Sequence, residues 1–264
     1  MPEAIRILGH AAFTGEQVDA AHKERFGRAF RRIGRYVKLA QLGAAECVQD
    51  LDPALRRDMG VYLGTGIGNA VDIVPLAHGI LDPVRPRTSP MAFAGCVGNA
   101  AAFFVARALD VLGPNVTVSQ EELSFEGALL EAVLALRSGR VRHALVGGVT
   151  VKSGDELTQR QRIDAVELSG EVGEGSAFVL LGLGDTGPRL DEVWLGRAAA
   201  LEQDLQGATV LPGWRIPHEG ASQRLVPIDT GLRLVELLHS GASGDFVHLQ
   251  RTRAGLAARV RLSL

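Results

Sequence analysis

Three short runs, GVYLG (60–64), HALVGGV (143–149) and SAFVLLGL (176–183), are apolar without any alternation. A strand that faces water on one side alternates apolar with polar residues, so an unbroken run predicts a strand buried on both faces. Before and between these runs lie segments with helical spacing: 25–50, 97–109 and 122–138. Strands buried on both faces and interleaved with helices require a layered α/β architecture, and this alternation predicts a mostly parallel sheet covered on both sides.

Composition agrees with a folded globular chain. Of 264 residues, 46% are hydrophobic and 22% charged, which excludes global disorder, and a net charge of −2 gives no general attraction to nucleic acid or membranes. No apolar stretch is long enough to cross a bilayer, and the first residues lack the features of a signal peptide, so a cytoplasmic location is expected. Cys47 and Cys96 sit outside any metal-ligand or CxxC spacing and read as small buried hydrophobes. No cofactor or metal motif is read.

Local signals place the remaining elements. Residues 4–8 predict a short strand, and Asp52 before Pro53 predicts a helix N-cap. Beyond 150 the texture changes to a polar, looping stretch. It is followed by strands at 176–183 and 190–200 that are expected to pair with each other, an extended loop over 202–224, a helix in PIDTGLRLVELLHSG and a closing hairpin from DFVHLQ and LAARVRLSL.

The stretch VTVSQEELSFEGALLEA (116–132) reads as a strand, a turn and a buried helix, an arrangement that often carries a nucleophile in α/β enzymes. Here S-x-x-E at Ser119 and Glu122 predicts a capping box, and Glu121 and Glu122 suit the positive end of a helix. GTGIGNA (64–70) lacks the third glycine of a dinucleotide loop and predicts a tight strand-to-helix turn. No G-x-S-x-G, no H-x-x-x-H and no legible triad accompany it. The basic stretch with Arg28, Arg31, Arg32 and Arg35 reads as a solvated helix face or as a patch for an acidic partner.

RRDMGVYLGTGIGN, SPMAFAGCVGNAAAFFVARALDVLGPNVTVS, LRSGRVRHALVGGV and GEGSAFVLL follow one another as in the β-ketoacyl synthases of fatty-acid and polyketide assembly, which the chain resembles. The resemblance implies a thiolase-like layered α/β fold, with 1–150 as the N-terminal half and 151–264 as a shortened C-terminal half of the same domain. Counting back from Gly139 puts the family's catalytic cysteine on Glu122, and the family's histidine motifs are missing. A carboxylate forms no acyl thioester, so the resemblance implies no autonomous condensation.

Ketosynthase-like chains without the cysteine act as chain-length factors, and the chain is similar to truncated members associated with aryl polyene clusters. By that resemblance it pairs with an active β-ketoacyl synthase and meets acyl carrier protein indirectly, with neither nucleic acid nor membrane as partner. Val116, Thr117, Val118, Ser119, Gln120 and Glu121 become the dimer strand and turn, and Phe93, Cys96 and Val97 become tunnel or gate residues. Malonyl decarboxylation, a plain scaffold, and a nucleophilic Ser119 or Ser124 are the competing readings.

Overall fold

The computed structural model describes residues 3–15, 17–30, 33–66, 68–152, 171–200, 223–224, 229–252 and 254–264. Eight strands form one sheet: β1 (Ile5–Phe13), β2 (Gly60–Gly64), β3 (Asn115–Val118), β4 (His143–Thr150), β5 (Gly175–Leu183), β6 (Arg189–Arg197), β7 (Asp245–Arg251) and β8 (Leu256–Ser263). Their order is β3-β2-β4-β5-β1-β6-β8-β7. The helices are α1 (Val18–Phe26), α2 (Arg35–Cys47), α3 (Pro53–Arg56), α4 (Ala70–Leu81), α5 (Pro90–Cys96), α6 (Ala100–Ala108), α7 (Ser124–Arg137) and α8 (Asp229–His239). A two-residue parallel pair, 171–172 with 223–224, stands apart from this sheet.

The predicted burial on both faces holds. Every residue of β2 is buried, as is β4 apart from its first residue and β5 apart from its last. On one face α2 and α6 pack over Val61, Leu63, Leu145, Val149 and Phe178. On the other, α7 and α8 pack over Tyr62, Ala144, Val146, Val179 and Leu181. The layered α/β class expected from the sequence is therefore the class observed.

The sheet is mixed, not mostly parallel. Only β2 with β3 and β2 with β4 run parallel. β5 enters antiparallel between β4 and β1, with Leu181 opposite both Ala144 and Ile7, and the β6–β8–β7 ribbon is antiparallel throughout. An apolar run reports burial on two faces and carries no strand direction, which is why periodicity misplaced it.

Several boundaries also move. The first strand spans Ile5–Phe13, longer than predicted, and it inserts between β5 and β6, so the two strands expected to pair with each other both pair with β1 instead. The helix expected over 25–50 is two helices, because Gly27 takes a left-handed conformation (φ 58°) that closes α1. The helix expected over 97–109 is α6, which begins later, at Ala100. A separate helix not expected from the sequence, α5, precedes it, where Ser89 Oγ accepts from Ala92 N at 3.3 Å with Pro90 in the first turn. The Asp52 cap is present, its Oδ1 accepting from Ala54 N at 2.9 Å. The loop expected over 202–224 lies almost wholly outside the described residues.

Three histidines give the fold an acid limit. Burial is the first cause that lowers the His10, His22 and His143 imidazoles below the ordinary 6.5; the neighbouring His239 and Arg142 add to it at His10 and His143. A group with a depressed folded pKa binds more protons when unfolded, so stability is full above the unfolded value and is lost as pH falls through 6.5 and below. The urea midpoint is expected to drop between pH 7 and pH 5. His22→Gln should flatten part of that drop, since His22 is buried against Gln41 Oε1 at 2.7 Å; an unchanged slope refutes the assignment.

Candidate functional site

The carboxyl ends of the parallel strands β2, β3 and β4 converge, and ligands of α/β sheets bind outside such ends. Thr65, just past β2, ties them together. Its N–H donates to Val118 O at 2.9 Å, its hydroxyl donates to Val149 O at 3.3 Å and accepts from Gly68 N at 3.1 Å. Gly68 has φ 59°, so the glycine-rich sequence serves the tight turn predicted for it. Asn69 then donates to Asp72 Oδ2 and to Gly95 O, both at 2.8 Å, joining α4 to α5.

The opposing turn, 119–123, departs from its prediction. Ser119 does not cap Glu122; its hydroxyl donates to Gly66 O at 3.4 Å. Residues Glu121–Leu123 make a single 3-10 turn, and α7 starts only at Ser124. The Ser124 hydroxyl accepts from Gln120 N at 2.9 Å and donates to Glu121 O at 2.6 Å, stapling the turn from inside. Ser124 outcompetes Ser119 because it is fully buried and its hydroxyl reaches both groups from within the first helical turn.

Glu121 carries the strain of this turn, with φ 50°, a left-handed conformation rare for a non-glycine residue. Glu122 follows it and is half-buried. The turn holds no thiol: Cys47 is buried in α2, where burial drives its thiol pKa upward, and Cys96 lies on α5, half-buried where full burial was expected. Gly64 abuts the start of α7 so closely that a Cβ there would lie 2.3 Å from Ser124 O. Gln120 folds back over α7, since a Cβ on Gly127 would meet its Oε1 at 2.7 Å.

Beside the turn, β3 is an edge strand among the described residues. Along α4, α5 and the residues that follow each, several apolar side chains are exposed: Leu81 76%, Val84 82%, Phe93 59% and Val97 39%. Phe93 and Val97 are thus not helix core. An open groove of about 930 Å³ runs between α4, α5 and the residues entering α2, lined by Gly34, Asp72, His78, Arg87, Ser89 and Ala92 among others. It adjoins α5 rather than the 119–123 turn.

The basic residues are dispersed. Arg35 Nε donates to Glu174 Oε1 at 2.7 Å, Lys38 pairs with Asp19 at 2.6 Å and Arg25 with Glu46 at 3.7 Å. Arg28 is exposed beyond the end of α1, and Arg31 and Arg32 lie outside the described residues. Among the described residues no three His, Cys, Asp or Glu side chains are grouped to hold a metal ion, and no helix is long and apolar enough to cross a membrane.

A mixed sheet between two helical layers, with a strained strand-to-helix turn at the ends of its parallel strands, defines a thiolase-like fold. The model of the β-ketoacyl synthase N-terminal domain matches residues 9–166, and the chain belongs to the β-ketoacyl synthase family. Similar solved structures include the ishigamide ketosynthase/chain length factor (18% identity, TM-score 0.78) and a β-ketoacyl synthase from Burkholderia phymatum STM815 (13%, 0.77). A third is the AntDE:AntF complex, a type II acyl carrier protein with its ketosynthase bound to the hexaketide (12%, 0.77). Each alignment covers 99% of this chain and 99% of the other. A search of curated protein sequences finds no match.

Proposed function

We propose that this chain is a non-catalytic, chain-length-factor-like subunit that pairs with an active β-ketoacyl synthase and helps wall its acyl tunnel in polyketide or aryl polyene assembly. One observation supports the reading: a strand, a strained turn and a buried helix stand in sequence at 115–137 with no cysteine in the turn, and counting back from Gly139 puts the family's nucleophile position on Glu122. A carboxylate supports no thioester exchange, so a family scaffold kept around it is best used for shape and pairing.

The edge strand β3 and, separately, the exposed apolar side chains of α4 and α5 support a protein partner, since a free edge and exposed apolar surface both favour association. Val116 to Glu121 would then form the pairing strand and turn, and Phe93, Cys96 and Val97 would face the tunnel. Arg28, with Arg31 and Arg32, would offer charge to an acidic carrier protein, whereas Arg35 is already paired with Glu174.

Coexpression with a ketosynthase encoded beside it is expected to give a one-to-one complex, read by native mass spectrometry. A ketosynthase that elongates normally alone would sink the proposal. Within the complex, Phe93→Trp and Val97→Phe should shorten the product chain while leaving assembly intact. Unchanged product length would favour a plain scaffold.

A further inference from the structure

Helix α4, AVDIVPLAHGIL, is apolar along most of its length, yet only Ala70 at its start is buried. Exposure is largest at its far end: Ile80 is 47% exposed, Leu81 76%, and Val84 in the turn that follows 82%. Leu81 and Val84 are the two most exposed large hydrophobic side chains among the described residues. Side chains so open stand on a convex tip, with no part of the described chain folded around them.

Hydrogen bonds within the turn preform this tip. Asp82 Oδ1 accepts from Val84 N at 2.8 Å and from Arg85 N at 3.0 Å, and Arg87 N donates to Gly79 O at 2.7 Å. Pro83 and Pro86 carry no N–H. From 83 to 87, every backbone N–H is therefore absent or already used. A partner bound by strand or turn pairing draws on free backbone donors, and this tip has none to give. Hydrocarbon makes the opposite demand, that no N–H be left unpaired, and the tip meets it.

Its charge points the same way. Arg85 and Arg87 are exposed on either side of Pro86, and neither guanidinium has an ion-pair or hydrogen-bond partner among the described residues. Asp82 is the one carboxylate between 73 and 99, so the two arginines leave the tip positive. Asp72 stands at the other end of α4, where it accepts from Asn69 Nδ2 at 2.8 Å. A guanidinium matches the oxygens of a phosphate, the group that anionic lipids carry at the bilayer surface.

We propose that residues 80–87 form a membrane-contact tip, with Ile80, Leu81 and Val84 entering the interfacial layer of an anionic bilayer and Arg85 and Arg87 on its lipid phosphates. The contact is local and peripheral: no helix among the described residues spans a membrane, and the whole chain, at net charge −2, has no general attraction to one. It goes beyond the family resemblance, which implies no membrane partner. It also stands apart from the partner reading, whose tunnel residues Phe93, Cys96 and Val97 lie on and just after α5.

Sedimentation of the full chain with phosphatidylcholine vesicles, with and without phosphatidylglycerol, tests it. The wild type should sediment with the mixed vesicles and less with phosphatidylcholine alone. The double variant Leu81→Asp, Val84→Asp should bind them at least about tenfold more weakly, the factor expected for one buried side chain of this size. Arg85→Gln and Arg87→Gln should each cost about fivefold, a loss that added salt reproduces. Leu112→Asp, at a side chain 70% exposed ahead of β3, should leave binding unchanged. All these side chains are exposed, so the fold is expected to survive, which circular dichroism checks. No sedimentation with the mixed vesicles, equal binding to both kinds, or an equal loss in Leu112→Asp overturns the proposal. So does a complex with the synthase that shields 79–87 from hydrogen exchange and abolishes vesicle binding, since the tip then belongs to a protein interface.

Discussion

Phe125→Ala is expected to destabilise the chain by about 3–5 kcal/mol, the usual cost of truncating a fully buried phenylalanine. Phe125 is 0% exposed and joins Tyr62, Leu129, Val146 and Val179 in the core on the α7–α8 side. Its ring fills the space where Gly231 lacks a side chain, since a Cβ on Gly231 would come within 2.6 Å of Phe125 Cε2. The cavity would therefore open at the contact between α7 and α8, where no neighbour is free to collapse into it.

Domains of this kind are stable by about 5–15 kcal/mol, so the loss takes a large share and should lower the melting temperature by roughly 10 °C. Chemical denaturation of both proteins checks this, and a loss below about 1 kcal/mol would show that the α7–α8 contact is not as packed as described. Phe125→Leu, which leaves a smaller void, should lose clearly less.

Gly64→Ala should cost the upper end of the about 1–3 kcal/mol typical of overpacking, and should also disturb the candidate site itself. The added methyl would lie 2.3 Å from Ser124 O, 2.5 Å from Ser124 C and 2.7 Å from Phe125 N. These are backbone atoms at the first residues of α7, and no rotamer change relieves them. Strand β2 and the start of α7 must separate, which loosens the Ser124 staple on Gln120 and Glu121.

Faster amide exchange is thus expected at 120–125 beyond any global loss. Gly139→Ala supplies the contrast. Gly139 has φ 70° but nothing within 4 Å of its Cβ position, so only backbone strain of about 1 kcal/mol applies, with no effect at the turn. Equal exchange at 120–125 in both variants would count against the close approach at Gly64.

The element types were legible because their signals are local. Unbroken apolar runs gave β2, β4 and β5, and the caps at Asp52 and the spacing of 122–138 gave α3 and α7. The family resemblance was legible for the same reason, as a series of short motifs in order, and it led to the strand-to-helix turn at 119–123 as the candidate site. What failed were choices between competitors. Ser119 and Ser124 are both serines near one helix start, and only packing against Gly64 decides which hydroxyl is buried within reach of the turn.

From the residues alone follow the layered class, most of the order of elements, and the family resemblance. Strand direction, the edge position of β3, the exposure of Phe93 and Val97, and the meeting of Glu126 with Thr230 and His248 belong to the tertiary structure. The reason is range. Periodicity and capping are settled over a few residues, whereas Glu126 and His248 are 122 residues apart and meet only because α7 packs on the sheet face toward which His248 of strand β7 turns.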